Sequence, residues 1–274
     1  MLTLLYKAGS TFYMTSLSSA AQLKAIAKER SLDKYGTLIA ANVIIFAIQV
    51  VVSGITTISS SGSILIFVIN QLISLIVSIL VGLLVSGKAY LYMNLVYSQT
   101  ISTSDVFFGL RQHPEKAVMI QSLFVLVDFF VSLPTSLLLF FVNSSTSMNL
   151  YIVMAVLLAI GILINIFVSL TYSQAFFLLH DFPDRSAKEL LVTSRNLMKG
   201  NRLKLLYLNL SFIPLYILGV VSLFIPLLWI SVYRYATVAA FYQDLIAKAG
   251  SSSAGVADST GSSHTSSVGS NISE

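Results

Sequence analysis

The stretch "SRNLMKGNRLKLLYLNLSF", residues 194–212, passes from basic and polar to almost wholly apolar within a few residues. Four cations, Arg195, Lys199, Arg202 and Lys204, stand directly against its hydrophobic run. Lys and Arg beside an apolar segment are typical of the cytoplasmic boundary of a membrane protein. The stretch therefore predicts that a basic surface segment ends here and that a membrane span begins.

The composition of the whole chain indicates the same class of protein. The 274 residues are 56% hydrophobic and only 10% charged, with a mean hydropathy of +0.85. Soluble domains carry about 25% charged residues, so this chain is predicted to be an integral membrane protein. The net charge of +5 does not indicate nucleic acid, because the cations cluster beside apolar spans. The absence of cysteine excludes disulfides and thiolate chemistry.

The hydrophobic segments predict the fold. A bilayer core requires roughly 20 apolar residues in a helix, and six segments meet or approach that length: 37–58, 64–87, 118–142, 150–179, 205–221 and 224–242. The predicted fold is an all-α polytopic bundle of about six transmembrane helices in three hairpins. In the alternative, the last two segments form one re-entrant hairpin, since the first of them is short and contains Pro214.

The connections between these segments alternate in charge, which predicts the orientation. Nearly every Lys and Arg falls in residues 1–35, 88–117 and 180–204. No charged residue occurs in the other connections: "SSSGS" (59–63), "NSSTSMN" (143–149) and "SLFI" (222–225). Because short basic loops stay in the cytoplasm, both termini are predicted to be cytoplasmic. The predicted divisions of the chain are a flexible N-terminal segment (1–20), a membrane domain (21–248) and a disordered Ser/Gly-rich tail (249–274).

Three stretches of the chain share one plan, a basic polar helix followed by a break and an apolar hairpin. Lys34, Lys116 and Lys199 stand at matching places, 82 and 83 residues apart. We therefore expect three similar units, each with a basic amphipathic helix at the membrane surface before its hairpin.

Stripes of small side chains run along the second and fourth spans at i+4 spacing. They are Ser74, Ser78, Gly82 and Ser86, and Gly161, Asn165, Ser169 and Ser173. Small residues at this spacing allow membrane helices to approach closely. The stripes predict a packing interface; in a second interpretation, they line a polar pathway.

The third unit has the clearest helix signals. Ser186 and Glu189 match a capping box, and Gly200 suits a left-handed stop. The enclosed segment is predicted to be an amphipathic helix lying on the cytoplasmic surface, where cations meet anionic lipid headgroups. The cations assigned to this interface are Arg185, Lys188, Arg195, Lys199, Arg202 and Lys204.

"LMKGN", "LNLSF" and "AAFYQDL" (residues 239–245), together with the N-terminal "QLKAIAKERSLDKYG", resemble the bacterial integral-membrane family called domain of unknown function 975. The resemblance covers about residues 20–247. It implies a multi-pass bacterial plasma-membrane protein. It brings no established reaction, substrate or catalytic residue.

Two ionisable residues fall within predicted spans, where an unpaired charge costs several kcal/mol. Asp128 is 12 residues from Lys116, about 18 Å along a helix, and Arg234 is 14 residues from Lys248, about 21 Å. These comparable depths predict a pair inside the bundle, facing a polar cavity. The alternatives are a purely structural pair, or an Arg234 that extends outward past Trp229.

Sequence motifs for known chemistry are absent. The chain contains no P-loop, GxSxG, dinucleotide-binding glycine loop or HExxH, and His180 with Asp181 is expected to be interfacial and solvated. We expect no enzyme activity, no cofactor and no metal. The predicted function is a non-enzymatic membrane protein that scaffolds lipids or partner membrane proteins, or senses the envelope. The alternatives are a small transporter or permease component with Asp128 and Arg234 in its pathway, and an intramembrane enzyme acting on lipid.

Overall fold

The computed structural model describes residues 17–56, 63–140 and 148–261, which form helices joined by short connections. Two 3₁₀ helices, Leu32–Lys34 and Thr103–Phe107, precede α2 and α4. The α-helices are α1 (Ala20–Ser31), α2 (Tyr35–Thr56), α3 (Ile64–Val96), α4 (Phe108–Arg111), α5 (Pro114–Phe140), α6 (Met148–Tyr172), α7 (Ala175–Asp181), α8 (Ala187–Met198), α9 (Arg202–Leu210), α10 (Ile213–Val221) and α11 (Leu227–Gly261).

Five helical segments among the described residues are long and apolar enough to cross a membrane. They are Ala20–Val52, Ile64–Val96, Pro114–Leu139, Met148–Asp181 and Arg202–Val221. Their outward surfaces are large apolar side chains, which only lipid can solvate at low cost. The predicted all-α membrane bundle is thus confirmed.

Each of the three predicted units begins with a short helix and continues as a hairpin. The short helices start at Ser19, Ser102 and Ser186, and each serine forms a capping box with the side chain three residues later. These starts are 83 and 84 residues apart, because the same local signal recurs in each unit. Gly200, with φ +83°, follows α8 as predicted.

The matched lysines of the first two units make equivalent contacts. Lys34 donates to the backbone carbonyl of Gln99, which follows α3, at 2.8 Å. Lys116 donates in the same way to the carbonyl of Pro183, which follows α7. In each of these two units, therefore, a lysine just before the hairpin or in its first turn holds the returning end of that hairpin.

The helices extend beyond the spans predicted from hydropathy. The second predicted span ends at residue 87, but α3 continues to Val96, and this extra segment packs among short helices instead of lipid. The fourth span is interrupted after Tyr172. The fifth is broken at Ser211 and Phe212, and Pro214 lies in the first turn of α10, where its missing N–H breaks no helical hydrogen bond.

The sixth predicted span lies in α11, which is not among the five apolar segments. This helix runs to Gly261, past the boundary predicted at residue 249. At the other end, Ser18 donates from its backbone N to Asp244 at 2.7 Å, so the residues just before α1 are fixed. The rest of the predicted terminal segments lies outside the described residues.

Candidate functional site

The short helices form a layer that exposes cations. We call α1, the segment Thr103–Arg111 and α8, with the residues flanking α8, the basic layer. Its exposed cations are Lys28, Arg30, Arg111, Arg185, Lys188, Arg195 and Lys199. One side of the bundle is therefore positively charged, while the surfaces of α5 and α6 beyond it are apolar.

Helix α8 buries one face and exposes the other. Leu190 and Met198 are fully buried. Ser194, on the same face, donates to the carbonyl of Thr171 at 3.3 Å and accepts from the backbone N of Gln174 at 3.3 Å. These bonds fix α8 against the connection between α6 and α7, so its cations project from a rigid support.

The cations assigned to the α8 interface form no ion pair with another described residue. Within the described ranges, none of the six lies within 4.0 Å of a carboxylate. Arg185 lies over the ring of Phe182, with its Cζ 4.8 Å from the ring centroid, and Arg202 lies over Phe167 at the same distance. The other four, Lys188, Arg195, Lys199 and Lys204, are exposed.

A carboxylate at the end of α7 joins the three units. Asp181 Oδ2 accepts hydrogen bonds from Tyr97, at the end of α3, and from Tyr242, in α11. Tyr242 is 1% exposed. Burial and the neighbouring Asp181 raise the pKa of Tyr97 further above neutral pH, so its hydroxyl stays protonated and donates to the carboxylate.

His180 is packed rather than solvated, so the expectation for this residue is wrong. Its Nε2 lies 2.8 Å from the carbonyl oxygen of Ser86 and therefore carries the proton of that hydrogen bond. The rings of Tyr90 and Phe108 contact the imidazole edge-on. His180 thus links α7 to α3 and to the second short helix.

Arg234 lies at the break between α9 and α10. Its Nη1 donates to Asn209 at 3.0 Å and its Nε to the hydroxyl of Tyr216 at 3.1 Å, so it bridges the interrupted helix. Lys24 of α1 donates to the carbonyl of Ser211 at 3.2 Å, which supplies a partner to a backbone group freed by the break.

The structure does not bring Asp128 and Arg234 together. Asp128 is exposed on the bundle surface and accepts from Asn165 at 2.9 Å. The prediction assumed equal depths, but the ring of Tyr235 contacts that of Tyr92, while the helix of Asp128 meets α3 at Gly82. Along the helix axes, Asp128 therefore lies about 20 Å further from the basic layer than Arg234.

The small-residue stripes lie partly at helix contacts. A β-carbon at Gly82 would be 2.3 Å from Cβ of Gln121, and one at Gly161 would be 2.8 Å from Cγ1 of Val131, so both glycines allow close approach to α5. Ser86 is fully buried. Ser173 accepts from Gln174 at 2.9 Å, while Ser74, Ser78 and Ser169 are exposed.

Comparison with known families shows the family to which this chain belongs. The sequence profile described as "Protein of unknown function (DUF975)" matches residues 14–249. The chain belongs to the DUF975 family. Searches of curated proteins and of solved structures found no match. The match spans all three units, as the resemblance predicted, so DUF975 membership applies to the whole helical bundle.

The segments that carry the DUF975 resemblance contribute hydrogen bonds and a helix end to the bundle. "LNLSF" contains Asn209, the partner of Arg234. "AAFYQDL" contains Tyr242, which binds Asp181, and Asp244, which binds Ser18. "LMKGN" ends α8 at the left-handed Gly200. These motif residues therefore make structural contacts within the bundle or end one of its helices.

The spacing of the repeated units in the DUF975 sequence contains one signal for the Asp181 network. Tyr97 comes directly after α3, and Asp181 is the last residue of α7. The 83-residue offset from Tyr97 leads to position 180, next to Asp181. Within the described ranges, no three His, Asp or Glu side chains are grouped closely enough to hold a metal ion.

Proposed function

We propose that this chain is a non-enzymatic protein of the bacterial plasma membrane, with both termini in the cytoplasm, that binds anionic lipid headgroups through the basic face of α8. The proposal rests on the observation that, among the described residues, no carboxylate lies within 4.0 Å of an α8 cation, although Asp184 and Glu189 are close in sequence. Cations held on a rigid face beside a bilayer require counter-ions, and anionic headgroups are the ones at hand.

Lipid binding is favoured over the transport alternative. A shared site at Asp128 and Arg234 was the basis for predicting a transport pathway, and the two residues bind different neutral partners. The cavity found beside α10 and α11 is lined by apolar residues such as Leu215, Leu218 and Trp229, which suits hydrocarbon rather than a polar solute.

Removing three α8 charges is expected to weaken the preference for anionic lipid. The purified full chain with Lys188→Gln, Arg195→Gln and Lys199→Gln should lose about tenfold or more of its preference for phosphatidylglycerol over phosphatidylcholine, since each basic residue contributes about 1 kcal/mol near an anionic surface. Native mass spectrometry of retained lipid measures this preference.

The matched control removes the same number of exposed charges from the other two units, as Lys28→Gln, Arg30→Gln and Arg111→Gln. We expect this variant to keep most of the preference, and added salt to weaken the wild-type preference. Equal losses in the two variants, or no loss in the α8 variant, would contradict a site on α8.

A further inference from the structure

We propose that the third hairpin, α10 with the start of α11, enters the bilayer from the side of the basic layer and returns without crossing it. Its tip, Val221–Ile225, contacts the acyl chains of the near leaflet. This inference concerns the depth of one hairpin and does not depend on lipid headgroup binding by α8.

Two pairs of tyrosines fix the relative heights of α3 and α11. The rings of Tyr92 and Tyr235 are 4.9 Å apart, and the hydroxyls of Tyr97 and Tyr242 bind the same oxygen of Asp181. The order of these contacts shows that α3 and α11 run in the same direction. Each pair places a residue of α3 beside a residue of α11, so the two pairs serve as common height marks for these helices.

The third hairpin is much shorter than the first when measured from these levels. The length of α3 from Tyr92 back to its start at Ile64 is about 42 Å. The length of α11 from Tyr235 back to its start at Leu227 is only about 12 Å. Starting from Tyr97 and Tyr242 instead gives about 50 and 22 Å. After allowance for the turn, the third tip ends about 20 Å short of the first.

The second hairpin reaches the same height as the first. Gly82 of α3 meets Gln121 of α5. Beyond this contact, α3 extends to Ile64 and α5 to Phe140, about 27 and 28 Å respectively. A bilayer core is about 30 Å thick, so the third tip lies within the hydrocarbon when the other two reach the far surface.

The chemistry of the third tip suits that depth. Val221, Leu223, Phe224 and Ile225 are 62–80% exposed, and Ser222 is the one polar residue of the tip, whereas "SSSGS" and "NSSTSMN" are mostly polar. Leu223 and Phe224 both adopt positive φ, at 59° and 66°, which makes the reversal tight. Apolar side chains projecting from a tight turn are stable in acyl chains and costly in water.

A shallow hairpin also accounts for two polar features of the third unit. Lys24 of α1 reaches the carbonyl of Ser211, so α9 lies at the level of the basic layer and only the nine residues of α10 rise above it. Arg234 then lies near the headgroups rather than at mid-membrane, which removes the large cost of a charge in hydrocarbon.

Spin labels on engineered cysteines measure this depth directly, because the natural chain has no cysteine. In the reconstituted full chain, a label at Leu223→Cys should collide with oxygen and not with a water-soluble nickel complex. Its depth should match that of a label at Leu80→Cys, on the lipid-facing side of α3 at about the same height, rather than one at Leu65→Cys. Ile225→Cys serves as a second tip position if the first variant does not fold.

Collision with the nickel complex at Leu223 would show that the tip reaches water and would overturn the proposal. A depth equal to that at Leu65 would overturn it too, since the hairpin would then cross. Protection from both reagents would also contradict the proposal, because the tip would be covered by protein instead of lipid.

Discussion

Replacing Asp181 by alanine is expected to lower the free energy of unfolding by about 3 kcal/mol. The hydroxyls of Tyr97 and Tyr242 would lose their shared acceptor, and an unsatisfied buried polar group costs about 1–3 kcal/mol. Denaturant titration of the detergent-solubilised chain, followed by circular dichroism, measures this change. The effect should be large because this carboxylate is the point at which all three units meet.

Two variants separate the hydrogen bonds from a general effect of charge. Asp184→Ala removes an exposed carboxylate three residues away and should change the stability by less than about 0.5 kcal/mol. Combining Asp181→Leu with Tyr97→Phe and Tyr242→Phe removes donors and acceptor together and should recover most of the loss. Additive destabilisation in this triple variant would show that the network is not the source of the stability.

Replacing Gly87 by alanine is expected to prevent normal packing of α3 against the second short helix. A β-carbon at Gly87 would lie 1.8 Å from the carbonyl oxygen of Val106, and backbone atoms cannot move aside as a flexible side chain can. We expect a loss of about 3 kcal/mol. The proportion of monodisperse protein in size-exclusion chromatography and the thermal midpoint report this loss.

Gly36→Ala is the matched control, because a β-carbon at that position meets nothing within 4 Å. Alanine favours a helix over glycine by up to about 1 kcal/mol, so this variant should be as stable as the wild type or slightly more so. A comparable loss in both variants would mean that the close contact between Gly87 and Val106 does not limit packing.

The features that follow from local sequence were predictable. Capping at Ser186 and the left-handed stop at Gly200 depend on residues within a few positions of one another, so the pattern alone located them. The apolar segments predicted the hairpins, and the spacing of Lys34, Lys116 and Lys199 predicted the three similar units. In each case, the residues that determine the feature are close in sequence or recur at a fixed interval.

The features that depend on packing between units were not predictable in the same way. Distance along the chain predicted equal depths for Asp128 and Arg234, but contacts between helices place Arg234 nearer the basic layer, so the pair does not form. His180 was expected in water because its neighbours in sequence are interfacial. Its actual neighbours are Ser86, from the first unit, and Phe108, which lies more than 70 residues earlier in the chain.

The central claim is that the protein is embedded in lipid with its basic layer facing the cytoplasm, and labelling of single cysteines in intact cells tests it most directly. A membrane-impermeant maleimide should modify Ser63→Cys and Met148→Cys, at the tips of the first two hairpins, without permeabilisation. It should modify Arg195→Cys only after the cells are permeabilised. Labelling of Arg195→Cys in intact cells, with the two tip positions protected, would contradict this orientation.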